Sequence, residues 1–553
     1  MLQSFKKINL EYLVIFVMAV FAGLMISIYN LSIISLLISI LFILASFKYF
    51  NQVLLLLVLY LPFQVALNIT SGIDLASGRV LILYLFAVWV IKSLAEKRFV
   101  IRFNLQTLLI VVFLVLAVFS MLQAQDTERA IRKILVFLSI FPLYFILTSL
   151  SIPLLCKEGQ GMVKNKNNYI YKIVKVLILS GFLISLIGVI QFALQFIFGI
   201  DAVMEFWSKY VAFIFYGQTF GAEVLSNPSW LVNISGATVL RAISLFPDPH
   251  MFSFYLGLII PIILSFVLFD KKNTNFVIPA EAGIQNLSHK INSKSLISFQ
   301  AIKQILVKIV KYCGYRKKIL KQVQDDKYEI FNNKFLYIVL FVMLLAELLT
   351  FSRGGYIGMI VGIGALIILS WKYLSIFKKS TIGLLFSIFL VVVLFTNQSI
   401  VNRFVSSFNF SEGSNVERIK NWQQGWEVFS DNILTGVGIG NYSIYLYPTI
   451  EYRTPVYAHN LYLDIGAEMG IFALFAWLLL IGVTVWQLYR LSRITEDNYV
   501  RALSLGLIGS LTWFSAHSFF DTPIYSPTIL AIFIVIISLS VMILVREKHN
   551  KDL

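Results

Sequence analysis

Three arginines and one histidine are the residues of this sequence whose types best suit transfer chemistry: Arg241, Arg353, Arg418 and His459. An arginine guanidinium stays charged and binds phosphate oxygens through two parallel hydrogen bonds. A histidine has a pKa near neutrality and can take the proton of a hydroxyl group. Together these residue types suit chemistry at a phosphate group and a hydroxyl group.

Each of these residues also has a structural explanation. Arg353 could extend its side chain to a membrane interface, as arginines near helix ends do. Arg241 could be a solvated loop charge, and Arg418 could pair with neighbouring glutamates. His459 could be a structural residue at a helix start, but an ionisable group at the mouth of a span, with Asn460 beside it, favours a functional role.

The elements that must position these residues are membrane-spanning helices. Of the 553 residues, 59% are hydrophobic and only 13% are charged, whereas soluble domains average about 25% charged residues. Many stretches approach the ~20 apolar residues that span a bilayer, which excludes a soluble globular protein. We predict an all-α polytopic transmembrane helical bundle of about 12–14 spans. The ranges are 11–28, 31–47, 52–67, 79–94, 105–122, 134–150, 173–198, 251–269, 335–351, 355–372, 381–397, 459–489, 501–519 and 527–545.

The long polar segments indicate the orientation of the chain. Residues 270–335 contain 13 Lys/Arg against 5 Asp/Glu, whereas 200–250 contain 2 against 4 and 397–458 contain 4 against 5. Cytoplasmic loops are enriched in Lys and Arg. The first segment is therefore predicted to be cytoplasmic, and the other two periplasmic. The same rule accounts for the net charge of +17 without a nucleic-acid partner.

The predicted organisation follows from these spans and loops. It comprises amino-terminal spans (1–198), a first periplasmic loop (199–250), one span (251–269), a basic cytoplasmic loop (270–335), spans with a periplasmic SRGG turn (336–397), a long periplasmic loop with short helices (398–458) and carboxy-terminal spans (459–553). Two cytoplasmic segments, 152–170 and 272–333, are either insertions or ordinary polar loops. We expect no catalytic role for either.

Several short motifs occur in a fixed order over roughly residues 235–480. They are Arg241 with Pro247–Asp248–Pro249; Ser352–Arg353–Gly354–Gly355; Glu417–Arg418 with Trp422 and Trp426; Thr435–Gly436–Val437–Gly438–Ile439–Gly440–Asn441–Tyr442; and His459–Asn460–Leu461–Tyr462–Leu463–Asp464 with Glu468 and Gly470. In this combination the sequence resembles the O-antigen ligase family, which also includes O-antigen polymerases and bacterial protein O-glycosyltransferases. Two positions depart from the pattern, since His250 stands where an Asn is commoner and Ser244 where a Gly is commoner.

The resemblance implies an enzyme of the bacterial inner membrane with its active site on the periplasmic face. The donor would be a glycan on a polyprenyl diphosphate, and the acceptor a hydroxyl of lipid A–core or of another glycan or protein. Arg241, Arg353 and Arg418 would bind the diphosphate, and His459 would activate the acceptor. Because the diphosphate already activates the donor, no cofactor is expected beyond the lipid-linked substrate and the membrane lipids.

Two alternatives to an O-antigen ligase stay open. An O-antigen or exopolysaccharide polymerase would use the same donor, and nothing in the sequence separates it from a ligase. A transporter or flippase of lipid-linked glycans would suit the number of spans. A transporter, however, places ionisable residues near the bilayer midplane, whereas the candidates here occur at the ends of spans.

The acidic and glycine-rich motifs near these residues are interpreted as supporting or structural elements. Asp464 and Glu468 are possible supporting residues, but five residues of helix, at about 100° each, turn Asp464 away from His459. His517 and Asp521 are spaced to form a structural pair on one helical face. The stretch GVGIGN lacks the strand and helix of a nucleotide-binding loop and is interpreted as a turn. No His/Cys cluster indicates a metal site.

Overall fold

The computed structural model describes residues 45–70, 73–97, 101, 103–150, 163–226, 228–234, 236–269, 333–383, 413–450 and 456–551. Its helices are α1 (Phe50–Tyr60), α2 (Ser77–Ala95), α3 (Leu105–Ser120), α4 (Thr127–Ile140), α5 (Pro142–Ser149), α6 (Val163–Phe198), α7 (Ile200–Phe206), α8 (Phe213–Tyr216), α9 (Gln218–Ser226), α10 (Pro249–Leu268), α11 (Asn333–Leu349), α12 (Arg353–Ser370), α13 (Gly413–Asp431), α14 (Tyr442–Leu446), α15 (Leu461–Ile494), α16 (Asn498–His517) and α17 (Pro527–Lys551).

The protein is an all-α polytopic membrane protein, as predicted. Within the described ranges, eight helical segments are long and apolar enough to cross a membrane: Ser77–Ala95, Leu105–Gln123, Thr127–Ser149, Tyr169–Phe198, Pro249–Leu268, Arg353–Tyr373, Leu461–Ile494 and Pro527–Lys548. The predicted spans 11–28, 31–47 and 381–397, and the segments 152–170 and 272–333, lie wholly or largely outside those ranges. The total of 12–14 spans therefore stays a prediction.

The centre of the bundle is formed by α10, which packs against α11, α12 and α16. The closest approach is between α12 and α16, where glycines allow the two helices to touch. A Cβ added to Gly358 would lie 2.5 Å from Trp513 Cδ1, and one added to Gly362 would lie 2.8 Å from the carbonyl oxygen of Gly509. This packing fixes the start of α12 against the end of α16.

Polar side chains cap the starts of three helices at one end of the bundle. The Asp248 carboxylate accepts from the backbone N–H groups of the first turn of α10, at 2.8 and 2.9 Å. Ser352 Oγ accepts from Gly355 N at 3.1 Å and starts α12. Asn460 starts α15 in the same way, accepting at 3.0 and 3.2 Å. Such caps satisfy N–H groups that a helix start leaves without partners.

We call this end the site end; α10, α12 and α15 begin there, and α11 and α16 finish there. It also carries two short antiparallel hairpins, β1–β2 (Ala66–Thr70 with Ile73–Ala76) and β3–β4 (Leu231–Ile234 with Ala237–Leu240). The sequence analysis did not predict these hairpins. The second one leads directly into Arg241, whose backbone N–H donates to Trp230 O at 2.8 Å.

Candidate active site

The predicted catalytic histidine pairs with an acid that the sequence analysis had assigned elsewhere. His459 Nδ1 lies 3.6 Å from Asp521 Oδ1, and the side chains are 42% and 17% exposed. The interaction with Asp521 raises the pKa of His459, and burial only partly opposes it. Burial raises the pKa of Asp521, but His459 and the nearby His250 together hold it below its ordinary value. The carboxylate of Asp521 therefore favours the form of His459 that carries a proton on Nδ1.

The backbone around His459 is strained and firmly held. His459 has a φ of +50°, a left-handed conformation that is uncommon for a residue other than glycine. Its carbonyl oxygen accepts from Trp422 Nε1 at 3.4 Å. Asn460, a predicted supporting residue, is the cap of α15, so it fixes the direction in which the chain leaves His459. The described contacts give Asn460 a structural role at this position.

The two other predicted supporting residues are buried acids on α15. Asp464 Oδ1 accepts from Ala458 N at 2.9 Å, and its Oδ2 accepts from the hydroxyl of Thr522. Glu468 accepts from the hydroxyl of Tyr525. Asp464 is not the residue that pairs with His459 Nδ1. His459 precedes α15, so the helical angle expected between the two residues does not apply. Both acids instead connect α15 to the segment that carries Asp521.

Arg353 and Arg418 lie close enough to influence each other. Burial lowers the pKa of Arg418, the charge of Asp521 opposes this change, and the charge of Arg353 adds to it. Arg353 is the first residue of α12 and is half-buried. Two guanidinium groups held near each other repel, and an anion bound between them removes that repulsion. This arrangement suits the phosphate-binding role predicted for both.

Arg241 is buried, and its guanidinium group binds the backbone of two neighbouring segments. It donates to Thr350 O at 2.7 Å, to Phe351 O at 3.1 Å and to Ser229 O at 3.0 Å. These bonds attach the segment after β4 to the turn that precedes Arg353. They give Arg241 a positioning function, and its predicted contact with a diphosphate stays a prediction.

A row of polar side chains lies beside Asp521. His250 Nδ1 is 2.9 Å from Ser352 Oγ, and His517 Nε2 is 3.5 Å from the same oxygen. The expectation that His517 and Asp521 share one helical face is wrong, because α16 ends at His517 and Asp521 follows the helix. Asp248 is also near; burial and the charge of Asp521 raise the pKa of Asp248 to about 6.

Asp521 was not predicted to be the partner of His459, because the two residues are far apart in the chain. A local signal was present, since Asp521 follows directly after an apolar span that ends in a histidine. A membrane-proximal acid of this kind needs a nearby cation or hydrogen-bond donor. Which donor it meets depends on how α15 and α16 pack.

The glycine-rich stretch 435–441 is a turn, as predicted, and it packs against α15. Gly436, Gly438 and Gly440 have φ values of +67°, +95° and +75°. Helix α15 is interrupted at Gly470, where φ is +80°. Val437 N donates to Ala467 O at 2.8 Å, and Gly438 N donates to Glu468 O at 3.0 Å. The turn thus supplies donors for carbonyl groups that the interruption leaves without helical partners.

In the ranges that the structure describes, no three or more His, Cys, Asp and Glu side chains converge as metal ligands. The expectation of a reaction without a metal ion stays a prediction.

Comparison with known proteins adds a family to this geometry. Residues 338–478 match the family model described as O-antigen ligase. The matched region contains Arg353, Arg418 and His459, and it ends before Asp521. The resemblance expected from the motifs is confirmed over this range, which lies within a multi-pass membrane protein.

The chain is also similar to a curated protein, the teichuronic acid biosynthesis protein TuaE of Bacillus subtilis (strain 168). The two sequences are 27% identical over 215 residues, which is 37% of this chain and 43% of the relative. The chain thus aligns with less than half of the relative's length.

Proposed function

We propose that this protein is a membrane glycosyltransferase that moves a glycan from a polyprenyl diphosphate to an acceptor hydroxyl. The observation that carries the proposal is the juxtaposition of two kinds of group at the site end. The pair of His459 and Asp521 can take a proton, and Arg353 and Arg418 can bind a diphosphate. The helix that carries Arg418 contacts His459, since Trp422 Nε1 donates to His459 O at 3.4 Å. The charge of Asp521 also acts on both His459 and Arg418, which supports one shared site.

The chemistry follows from the order of these groups. The acceptor oxygen attacks the anomeric carbon of the donor while the bond from that carbon to the diphosphate oxygen breaks. The bonding electrons leave with the diphosphate, and the arginines stabilise the charge that develops there. The hydroxyl proton passes to Nε2 of His459, since Nδ1 faces Asp521. Attack from the side opposite the leaving group inverts the anomeric centre.

Within this class, an O-antigen ligase with lipid A–core as acceptor is our first proposal, because residues 338–478 match that family. The active site would lie on the periplasmic face of the inner membrane. A polymerase that extends lipid-linked repeats is the second proposal. It is favoured by the similarity to TuaE, whose name assigns it to the synthesis of teichuronic acid.

The positions of the ionisable groups favour a transferase over a transporter. His459, Asp521 and Arg353 lie at the ends of helices or between them at the site end. Arg418 lies within α13, which is not one of the candidate spans. A transporter would hold its substrate near the bilayer midplane. Cysteines placed at 353 and 459 should react with a membrane-impermeant reagent added from the periplasmic side. Reaction from the cytoplasmic side alone would overturn the proposed orientation.

The decisive experiment is transfer by the purified full-length protein in lipid, with a lipid-linked glycan as donor. His459→Ala and Arg353→Ala should each abolish transfer while the protein still inserts and folds. Arg418→Ala should raise the KM for the donor. Lys420→Ala removes an exposed cation from the same helix, α13, and is the control that should transfer normally. Near-normal transfer by both His459→Ala and Arg353→Ala would refute the assignment.

Analysis of the glycans in cells that lack the gene distinguishes a ligase from a polymerase. Long chains that accumulate on the polyprenyl carrier, beside unmodified lipid A–core, indicate a ligase. Lipid A–core that carries a single repeat, without longer chains, indicates a polymerase.

A further inference from the structure

We infer that the carboxylate of Asp464 is a positioning residue that aligns His459 with Asp521. It would do so by joining the two segments on which those side chains are carried. The inference rests on the proposed function for its effect on catalysis. Its structural part concerns only the arrangement of His459 and can be measured without any substrate.

The two oxygens of Asp464 bind one residue on each segment. Oδ1 accepts from Ala458 N, directly before His459, at 2.9 Å. Oδ2 accepts from the hydroxyl of Thr522, directly after Asp521. Asp464 is 1% exposed, so water does not compete for these bonds. One buried side chain thus fixes the separation of the two backbones that carry the pair.

Thr522 closes this arrangement into a ring of contacts. Its backbone N–H donates to Asp521 Oδ1 at 2.8 Å, and the same oxygen faces His459 Nδ1 at 3.6 Å. The path runs from Ala458 through Asp464, Thr522 and Asp521 to His459, and the peptide bond between Ala458 and His459 completes it. A change at Asp464 or at the Thr522 hydroxyl therefore shifts Asp521 relative to His459.

The conformation of His459 explains why this alignment needs support. A φ of +50° costs of order 1–3 kcal/mol at a residue other than glycine, and surrounding contacts must hold it in place. The bonds of Ala458 and of Asn460 lie on either side of His459. Without the bond to Asp464, the chain before His459 can relax toward an ordinary conformation and carry the imidazole away from Asp521.

The groups that face His459 come from several elements. Asp521 and Asp464 raise its pKa, and Arg418 on α13 lowers it. Asp521 in turn is influenced by His250 of α10 and by His459. Loss of alignment removes the contribution of Asp521, which is the largest, so the pKa of His459 should fall.

The test uses the purified full-length protein with two independent changes. Asp464→Ala removes both bonds, and Thr522→Val removes only the hydroxyl while keeping the size of the side chain. Asp464→Asn and Thr522→Ser are the conservative partners, because each retains groups that can form the bonds. Tyr525→Phe is the matched control, since it removes a similar hydroxyl–carboxylate bond to Glu468, also between α15 and the segment after α16.

The first readout is the rate at which diethyl pyrocarbonate modifies His459, measured by peptide mass spectrometry as a function of pH. The reagent attacks neutral imidazole, and the His459 side chain is exposed enough to react. In Asp464→Ala and Thr522→Val the midpoint should move to lower pH. It should move less in Asp464→Asn, which loses the charge of Asp464 but keeps groups that can form the bonds. It should stay in place in Thr522→Ser and Tyr525→Phe.

The second readout is transfer itself. The two disrupting variants should lower kcat by up to about 10²-fold, the order expected for a displaced catalytic group, with the donor KM unchanged. An unchanged modification midpoint in both Asp464→Ala and Thr522→Val would overturn the inference. A wild-type protein that transfers no glycan, but whose His459 midpoint still depends on Asp464, would refute the proposed function and leave the inference intact.

Discussion

At the residue scale, the chemistry of the site depends on a carboxylate that turns an ordinary histidine into a better base. The carboxylate of Asp521 stabilises the positive charge that His459 acquires when it takes a proton. The raised pKa of His459 reflects this pairing. The general base must be neutral before the reaction begins. The pH dependence of transfer should therefore report on this pair.

We predict that transfer rises with pH around a midpoint above 6.5, the ordinary histidine pKa. Raising the pH through the pKa of His459 converts the imidazolium to the neutral form that can accept a proton. In Asp521→Asn this midpoint should move to lower pH, because the neutral amide no longer stabilises the imidazolium. The plateau rate should also fall, because a weaker base takes the proton less readily. Initial rates measured from pH 5 to 9 check this.

The control for this experiment is Asp431→Asn, which changes an exposed acid at the end of α13. Its midpoint should equal that of the wild type. A midpoint that is the same in Asp521→Asn and in the wild type would show that the acidic limb does not report on His459.

The arginines should differ in how their loss affects the protein. Arg241→Ala leaves three backbone carbonyl groups without their donors, and a hydrogen bond to a charged group contributes about 1.5–3 kcal/mol. We predict a clear loss of thermal stability for Arg241→Ala. Arg353→Ala should lose transfer while keeping its melting temperature. Thermal unfolding in the same detergent compares them, and equal melting temperatures would contradict the positioning role of Arg241.

At the scale of elements, the turn at 435–441 and the interrupted helix α15 form one unit. The interruption at Gly470 allows Ile471 N to donate to Ile433 O at 2.8 Å, while Val437 and Gly438 donate to the turn of helix before it. The turn is also bound to the α3–α4 connection, since Asn441 Oδ1 accepts from Asp126 N at 2.7 Å. This unit holds the amino-terminal part of α15, and hence His459, in a fixed place.

The substitution Gly436→Ala should separate the turn from α15. A Cβ on Gly436 would lie 2.3 Å from the carbonyl carbon of Glu468, and its φ is +67°. Left-handed strain alone costs of order 1–3 kcal/mol, and the steric overlap adds to it. We predict a lower melting temperature and less transfer. Gly482→Ala on α15 is the control, because no atom lies within 4 Å of an added Cβ there. Equal stability of the two variants would contradict this account.

At the scale of the whole molecule, the two ends of the bundle have different tasks. The site end carries the hairpins, the reactive groups and the caps of α10, α12 and α15. The opposite end carries basic residues that lie beside aromatic rings, such as Arg490 over Trp486 at 5.0 Å and Lys372 over Tyr373 at 4.5 Å. Aromatic belts occur at both membrane interfaces, whereas an excess of Lys and Arg is typical of the cytoplasmic one. The basic residues therefore agree with the proposed orientation.

This polarity predicts that residues 275–325 can be deleted without loss of transfer. These residues lie outside the described part of the chain, but they connect Leu268 at the end of α10 to Asn333 at the start of α11. Both of those helix ends are opposite the site end. A short flexible linker in place of 275–325 should leave the KM and kcat nearly unchanged. Complete loss of transfer in a variant that inserts normally would contradict the prediction.

The sequence by itself determined the class of the protein and the types of its reactive groups. Long apolar runs can only be buried in a membrane or a core, and in a bilayer the backbone must form its own hydrogen bonds, so helices follow directly. The motifs around Arg353, Arg418 and His459 identified residues that lie at one end of the bundle. These features are local, because they depend on residue type and on spacing within one segment.

Only the tertiary structure decided which groups meet. Asp521 pairs with His459, and Asp464 joins the segments that carry them, because the start of α15 and the end of α16 adjoin. Arg241 binds backbone carbonyls because the segment after β4 packs against the turn before α12. Hydrogen bonds between segments depend on distances of about 3 Å, which sequence separation does not specify. Helical periodicity predicted that Asp521 shares a face with His517, but α16 ends before Asp521. The packing of the chain beyond that helix determines that Asp521 pairs with His459.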